Sequence, residues 1–276
     1  MFTQEKKTAL VTGASSGMGK AIARRLIQDG YQVYVAARHV EKMADLASLG
    51  AQPLRMDISL DAEIVSGVET ILAQTGGVDV LVNNAGFGLY GPVEEIDIEE
   101  ARYQFEVNLF GAARLTQLLL PGMRARRSGH IVNITSMGGK MYSILGAWYH
   151  ATKHALEGWS DCLRLEVAEF GIKVVIVEPG VIETGFGDAA SDTIVRRSAS
   201  GPYGHLVKMV AMSIKKTYGQ GTGSSPEVIA EVVSRAVYNR KPRTRYAAGK
   251  FAKMLIRMRV WLGDRIFDRI ILSQTR

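Results

Sequence analysis

A single cysteine, Cys162, stands in the 276-residue chain, so no intramolecular disulfide can form and the disulfide-stapled secreted scaffolds are excluded. No apolar run is long enough to cross a bilayer. The N-terminal MFTQEKKTAL passes straight into a predicted strand without the apolar stretch of a secretory signal, and the expectation is a cytoplasmic location. Internal repeats, low-complexity tracts and interdomain linkers are also missing; the Gly/Ser stretch GQGTGSSP before a predicted helix at Pro226 reads as a loop. His150 and His154 have i, i+4 spacing, but no carboxylate or cysteine accompanies them in a recognised ligand motif. They read as packing or pocket residues, and no metal is expected. Acidic residues are scarce in one region: residues 240–276 hold eleven Lys/Arg against Asp264 and Asp268, a net +9 in a chain of +7, so the remainder is slightly acidic.

What is present describes one large α/β domain, with a 47% hydrophobic content ordinary for a globular protein. Apolar, β-rich segments near 8–14, 31–37, 51–57, 78–83, 130–135, 172–178 and 244–248 alternate with helical patterns. This predicts a doubly wound, Rossmann-type sheet of seven mostly parallel strands with helices on both faces. The first strand, TALVTGA, leads through a glycine turn into GMGKAIARRLIQDG, a helix closed by Gly30. Gly13, Gly17 and Gly19 follow G-x-x-x-G-x-G spacing, which lets the backbone turn and approach a pyrophosphate at the helix N-terminus. Such a turn can also be purely structural. The second strand ends in Ala37 and Arg38, where a carboxylate would bind an adenosine 2′-hydroxyl. A guanidinium there suits a 2′-phosphate, with Ser15 and Ser16 as further donors, so NADP(H) is favoured over NAD(H).

Tyr149 and Lys153 in YHATK share a helix face, so a phenol and an ammonium can converge on one pocket. A free tyrosine titrates near pH 10, and an ammonium about 4 Å away at an effective dielectric of about 20 favours the phenolate by roughly 4 kcal/mol. The expectation is therefore a phenol lowered into the working range of an acid or base. The pair alone also occurs as an ordinary surface contact. Its weight comes from Ser136 in NITS and from the glycine turn. Asn108 sits in EVNLFGAARLTQLLL, a strongly apolar helical stretch where its amide needs partners.

Over roughly residues 6–248 the chain resembles the short-chain dehydrogenase/reductase family, on TGASSGMG, MDIS with Asp57, NNAG at 83–86, VNLFG, Ser136, YHATK and PGVIET at 179–184. The resemblance implies the strand order 3-2-1-4-5-6-7. It implies a cofactor site of Gly13, Ser15, Ser16, Gly17, Met18, Gly19, Arg38, Asp57, Ile58, Asn83, Ala85, Gly86, Tyr149, Lys153, Pro179, Gly180, Ile182 and Thr184. Asp57 and Ile58 would flank the adenine, NNAG would serve the sheet and adenosine pocket, and Ile182 and Thr184 would hold the nicotinamide amide. Tyr149 would exchange a proton with the substrate oxygen while Ser136 hydrogen-bonds that oxygen and hydride passes between nicotinamide and carbonyl carbon. Lys153 would tune the phenol and bind the ribose. Asn108 would hold a water of a proton relay, although a helix-kink role is equally physical. A homodimer or homotetramer is implied as well.

Residues 1–248 are read as the catalytic domain, including a substrate segment at 183–225, and 249–276 as a helical extension packed on the same domain or on a partner subunit. The segment after the nicotinamide motif is long enough for a lid. It carries Phe186, Ile194, Val195, Tyr203, Leu206, Val207, Met209, Val210 and Met212, while Met141, Tyr142 and Leu145 precede Tyr149. These residues line a pocket for a lipid-, steroid- or retinoid-like alcohol or carbonyl, or merely pack the lid. In the basic tail, Phe251, Met254, Leu255, Met258, Trp261, Leu262, Ile266, Phe267 and Ile270 recur at helical spacing, giving an amphipathic helix or helix pair. It can cover the pocket, join a subunit interface or lie peripherally on an anionic membrane. Without a recognition motif or aromatic stacking pattern, no nucleic-acid partner is expected. A non-catalytic NADP-binding regulator, or a lyase such as a dehalogenase on the same scaffold, would leave part of this set of motifs without a use.

Overall fold

The computed structural model describes residues 6–219 and 221–273. The first five residues of the N-terminal segment, Gln220 of the substrate segment and Arg276 of the basic tail lie outside the described residues. Seven strands are found among those described: β1 (Thr8–Thr12), β2 (Gln32–Ala37), β3 (Gln52–Arg55), β4 (Val80–Asn83), β5 (Gly129–Ile134), β6 (Ile172–Pro179) and β7 (Arg245–Ala248). They form one sheet in the order β3-β2-β1-β4-β5-β6-β7, every pair parallel. The helices are α1 (Gly17–Gln28), α2 (Ala44–Ser48), α3 (Asp61–Thr75), α4 (Ile98–Phe105), α5 (Gly111–Ala125), α6 (Ala147–Glu166), α7 (Phe186–Ser198), α8 (Gly204–Tyr218), α9 (Glu227–Tyr238) and α10 (Ala252–Ser273).

The central strands are apolar on both faces because helices cover both. Successive residues divide between two cores: Ala9 and Val11 face a layer with Ile22, Leu26, Ile229 and Val233, while Leu10 faces one with Ile71, Leu115, Leu119 and Met123. Each fully buried aliphatic side chain stabilises the fold by about 1.5–3 kcal/mol relative to exposure. Sheet order reverses beside β1, so the carboxyl ends of β1 and β4 open a crevice at the point where chains of this topology bind ligands.

Two regions differ in form from a plain loop or a single helix. The 183–225 segment is largely helical: α7 and α8 pack on each other through Ile194, Val207 and Val210, so the segment is a helical hairpin. The tail is a helix pair, with Gly263 at φ +66° breaking α10 in its middle. Its second half seats buried Phe267 and Ile271 on Met141. Tyr142 Oη donates to Asp268 at 2.8 Å, and the Arg259 guanidinium lies 5.1 Å from the Tyr142 ring centre. Among the described residues no helix is long and apolar enough to cross a membrane.

Candidate active site

The turn from β1 into α1 is built by close approach. Gly13 has φ +66°, and a Cβ on it would lie 2.9 Å from the Ala85 Cα; a Cβ on Gly19 would collide with the Gly13 carbonyl oxygen. Asn84 clamps this turn, its Nδ2 donating to Thr12 O at 2.9 Å and Gly13 O at 3.3 Å. Ser16 precedes α1 in an extended conformation and its side chain caps nothing, so among the described residues it leaves the first N–H groups of the helix without a capping acceptor. Thr184 leans over the same turn, its Cγ2 3.0 Å from where a Cβ of Gly17 would stand. The result is a cradle of backbone donors with room for an anion and none for extra side chains.

Beside the turn lies a cavity of about 460 Å³ lined by Ser15, Ser16, Arg38, His39, Asp57 and Ile58 among others. Arg38 is exposed at its mouth, with Nη1 3.4 Å from Tyr103 Oη. Burial pushes the Asp57 carboxyl up. Ser59 nevertheless donates to it through Oγ at 2.7 Å and N at 3.0 Å, and with Arg38 and Arg55 nearby it ends below its ordinary value.

A larger cavity of about 890 Å³ shares Gly13, Ser16, Ala85 and Gly86 with the first and reaches Ser136, Tyr149, Lys153, Pro179, Ile182 and Thr184. Ser136 follows β5, and its Oγ accepts from Gly138 N at 3.0 Å. Tyr149 and Lys153 enter from α6, both buried. The Lys153 ammonium donates to Ile134 O at 3.0 Å. Burial pulls Lys153 down to about 8, against an opposing effect of Glu157. The expectation that this ammonium lowers the phenol is not met in the free protein. Burial raises Tyr149 above its ordinary value, and the effect pulling it back is a hydrogen bond to Ser136, because a phenolate in a dry wall loses its hydration.

Three predicted site residues do not reach either cavity. Asn83, the last residue of β4, turns to the sheet face covered by α5 and donates to Asn133 Oδ1 at 2.8 Å and Thr116 Oγ1 at 3.4 Å; its neighbour Asn84 takes the cavity side, as alternation along a strand requires. Gly180 instead lets the chain pass the Lys250 backbone, with which a Cβ would collide. Asn108 lies in a π-helical turn, Glu106–Phe110, joining α4 to α5. Its Oδ1 accepts from Phe87 N and its Nδ2 donates to Phe87 O and Thr152 Oγ1, each at 3.0 Å. It therefore braces the cavity wall against α6 from behind. Of the nine apolar lid residues named from the sequence, Phe186 lines the large cavity, where Phe87, Leu89, Ala189, Ala190 and Tyr218 join it. Met212 is exposed, and Ile194, Val207 and Val210 hold the hairpin together.

Behind the site sits a buried charge network that the sequence reading missed. Glu157 accepts from Thr135 Oγ1 at 2.6 Å and pairs with Lys140 at 3.1 Å and Arg245 at 3.0 Å. Thr135 adjoins Ser136, so this carboxylate ties the end of β5 to α6. Glu178 is pushed up to about 7 by burial and then by Glu157. The spacing of Glu157, four residues after Lys153 on the same helix, was the available signal.

His150 was expected to pack, and it does so with both ring nitrogens engaged. Nε2 accepts from Ser143 N at 3.0 Å, which leaves the proton on Nδ1 to donate to Gly138 O at 2.8 Å. The ring thus fixes the loop that carries Ser136. Burial lowers it to about 4. His154 Nδ1 bonds to His150 O at 2.8 Å.

A family model described as short chain dehydrogenase matches residues 7–194. The chain is 32% identical over 260 residues to 3-ketodihydrosphingosine reductase of Bacteroides thetaiotaomicron, covering 94% of each protein. Among solved structures, a short-chain dehydrogenase from Streptomyces avermitilis superposes with TM-score 0.80 at 35% identity, covering 99% of this chain and 96% of that one. A single-substitution variant of actinorhodin polyketide ketoreductase with NADPH gives TM-score 0.75 at 35% identity, over 89% and 96%.

The His150 geometry sets an acid limit. Because its folded value of about 4 lies below the ordinary 6.5, the stability it confers is whole above pH 6.5. That stability falls by about 1.4 kcal/mol per unit as pH drops from there toward the folded value. Urea unfolding of His150→Asn should show lower stability at neutral pH but a shallower loss between pH 7 and 5 than the parent, with His130 contributing equally to both proteins. Identical pH slopes would show that His150 is not buried neutral.

Proposed function

The chain is an oxidoreductase of the short-chain dehydrogenase/reductase family, and on that premise we propose that it interconverts an alcohol with a ketone or aldehyde using NADP(H), with Tyr149 as the acid and base. The observation that carries this reading is the single cavity in which Ser136, Tyr149 and Lys153 share a wall continuous with the glycine turn. A nicotinamide dinucleotide bound there supplies or accepts the hydride. The cradle fits such a group: the uncapped start of α1 and the side-chain-free approach at Gly13 and Gly19 suit a pyrophosphate, and Arg38 with Ser15 and Ser16 suits a 2′-phosphate.

Substrate oxygen is held by Ser136 and the Tyr149 phenol. In reduction the neutral phenol that burial favours is the correct acid, giving its proton as charge grows on the oxygen. Lys153 stays cationic at neutral pH and lends its field to the phenolate left behind. Oxidation runs the same proton path backwards and needs that field more. Phe87, Leu89, Phe186, Ala189, Ala190 and Tyr218 favour an apolar carbonyl compound, and the names of two similar proteins, a 3-ketodihydrosphingosine reductase and a polyketide ketoreductase, agree with this. A homodimer or homotetramer belongs to the same reading, with Phe110 and Leu165 each exposed and free to take part in a subunit contact.

Tyr149→Phe should bind NADPH as the parent does while losing about 10²–10⁴-fold in kcat on a ketone panel; normal turnover would remove Tyr149 from the chemistry. Arg38→Ala should weaken NADPH binding by about 1.5–3 kcal/mol, the range for a charge-assisted hydrogen bond, and leave NADH binding unchanged. Equal losses for both dinucleotides, measured by fluorescence titration, would contradict the assigned preference.

A further inference from the structure

We propose that the outward face of α10 is a docking surface for an anionic lipid bilayer. The helix pair turns Phe267 and Ile271 inward onto Met141, yet leaves Trp261 84%, Val260 69%, Met254 50% and Ile266 48% exposed. Lys253, Met254, Arg257 and Trp261 stand at i, i+1, i+4 and i+8, so they share one side of the first half. Arg265 and Arg269 repeat the i, i+4 spacing in the second half. Among the described residues Lys253, Arg257, Arg265 and Arg269 are exposed and pair with no acid; Asp264 and Asp268 are occupied by Arg259 and Tyr142. A surface that presents an indole and aliphatic side chains between unpaired cations matches the boundary of a bilayer with anionic headgroups, where the rings enter the interface and the cations meet phosphate.

Charge decides between occupants. A second copy docking on this face through a two-fold contact would bring together two faces that each carry the exposed cations Lys253, Arg257, Arg265 and Arg269 without an acid partner among the described residues. An anionic bilayer reverses the sign of that interaction. A nucleic acid would satisfy the cations while leaving Val260, Met254 and Ile266 facing a polar backbone. The inner side of α10 rests on Met137, Met141, Tyr142 and Ile144, between Ser136 and Tyr149, so the docked face lies across the helix from the loop of the active site.

The full chain is sedimented with phosphatidylcholine vesicles and with the same vesicles containing phosphatidylglycerol, at low and high salt, beside Trp261→Ser and Arg257→Glu. Both side chains point to solvent, so thermal unfolding of the variants should match the parent. Binding is expected to vesicles with phosphatidylglycerol alone, to fall with salt, and to drop by about tenfold or more in each variant. No binding, equal binding to phosphatidylcholine, or parental binding by both variants would overturn the proposal. Self-association in light scattering that Trp261→Ser abolishes, without vesicle binding, would assign the face to a second copy and overturn it. Duplex DNA binding lost in Arg257→Glu and kept in Trp261→Ser, again without vesicle binding, would do the same.

Discussion

A cation and a phenol held dry on one turn of α6 set the terms for the rest of the site. Lys153 keeps its ammonium on the Ile134 carbonyl, inside a wall where an unpaired charge would be strongly destabilising. That placement requires the end of β5 to stay fixed against α6. Thr135, hydrogen-bonded to Glu157, and His150, bonded to Gly138, fix it from two sides. Burial draws Lys153 toward neutrality and the Tyr149 phenol away from ionisation. Both groups therefore sit nearer their uncharged forms than they would in water, and a developing charge nearby is felt strongly because water does not screen it.

Topology brings this wall to the glycine turn. With β1 and β4 adjacent and the sheet order reversing beside them, the loops after β1, β4, β5 and β6 all open on the same edge. The chain thereby juxtaposes Gly13, Asn84, Ser136 and Thr184, which are far apart in sequence. The helical hairpin of α7 and α8 closes one side, and Phe186 stands 5.5 Å, ring centre to ring centre, from Tyr149. An aromatic side chain therefore stands beside the phenol in the wall of the same cavity.

Most of the framework was legible in the residues. Continuous apolar runs marked buried parallel strands, glycine spacing marked the turn, and the order of motifs implied a sheet order that matches the one observed. What escaped was set by tertiary contacts. Asn83 and Asn84 differ only in which side of a strand end they occupy, a parity decided by where β4 stops. Gly180 is forced by a backbone crossing with Lys250, some seventy residues on. The direction of the Tyr149 shift depended on how dry the wall is, and Coulomb's law applied to sequence spacing alone overweighted the neighbouring charge. Phe267 and Ile270 looked equivalent in the tail pattern, yet the first is buried and the second half-exposed, because the side of the helix that meets Met141 carries Phe267 and Ile271, four residues apart.

The dryness of the wall can be read from one nucleus. With ¹⁵N-labelled lysine and the Lys153 signal assigned by its loss in Lys153→Met, the Nζ resonance of the free enzyme should titrate near 8, far below the ordinary 10.5. A resonance that titrates at the ordinary value would mean a hydrated ammonium, and the account of a buried cation governing the site would fail.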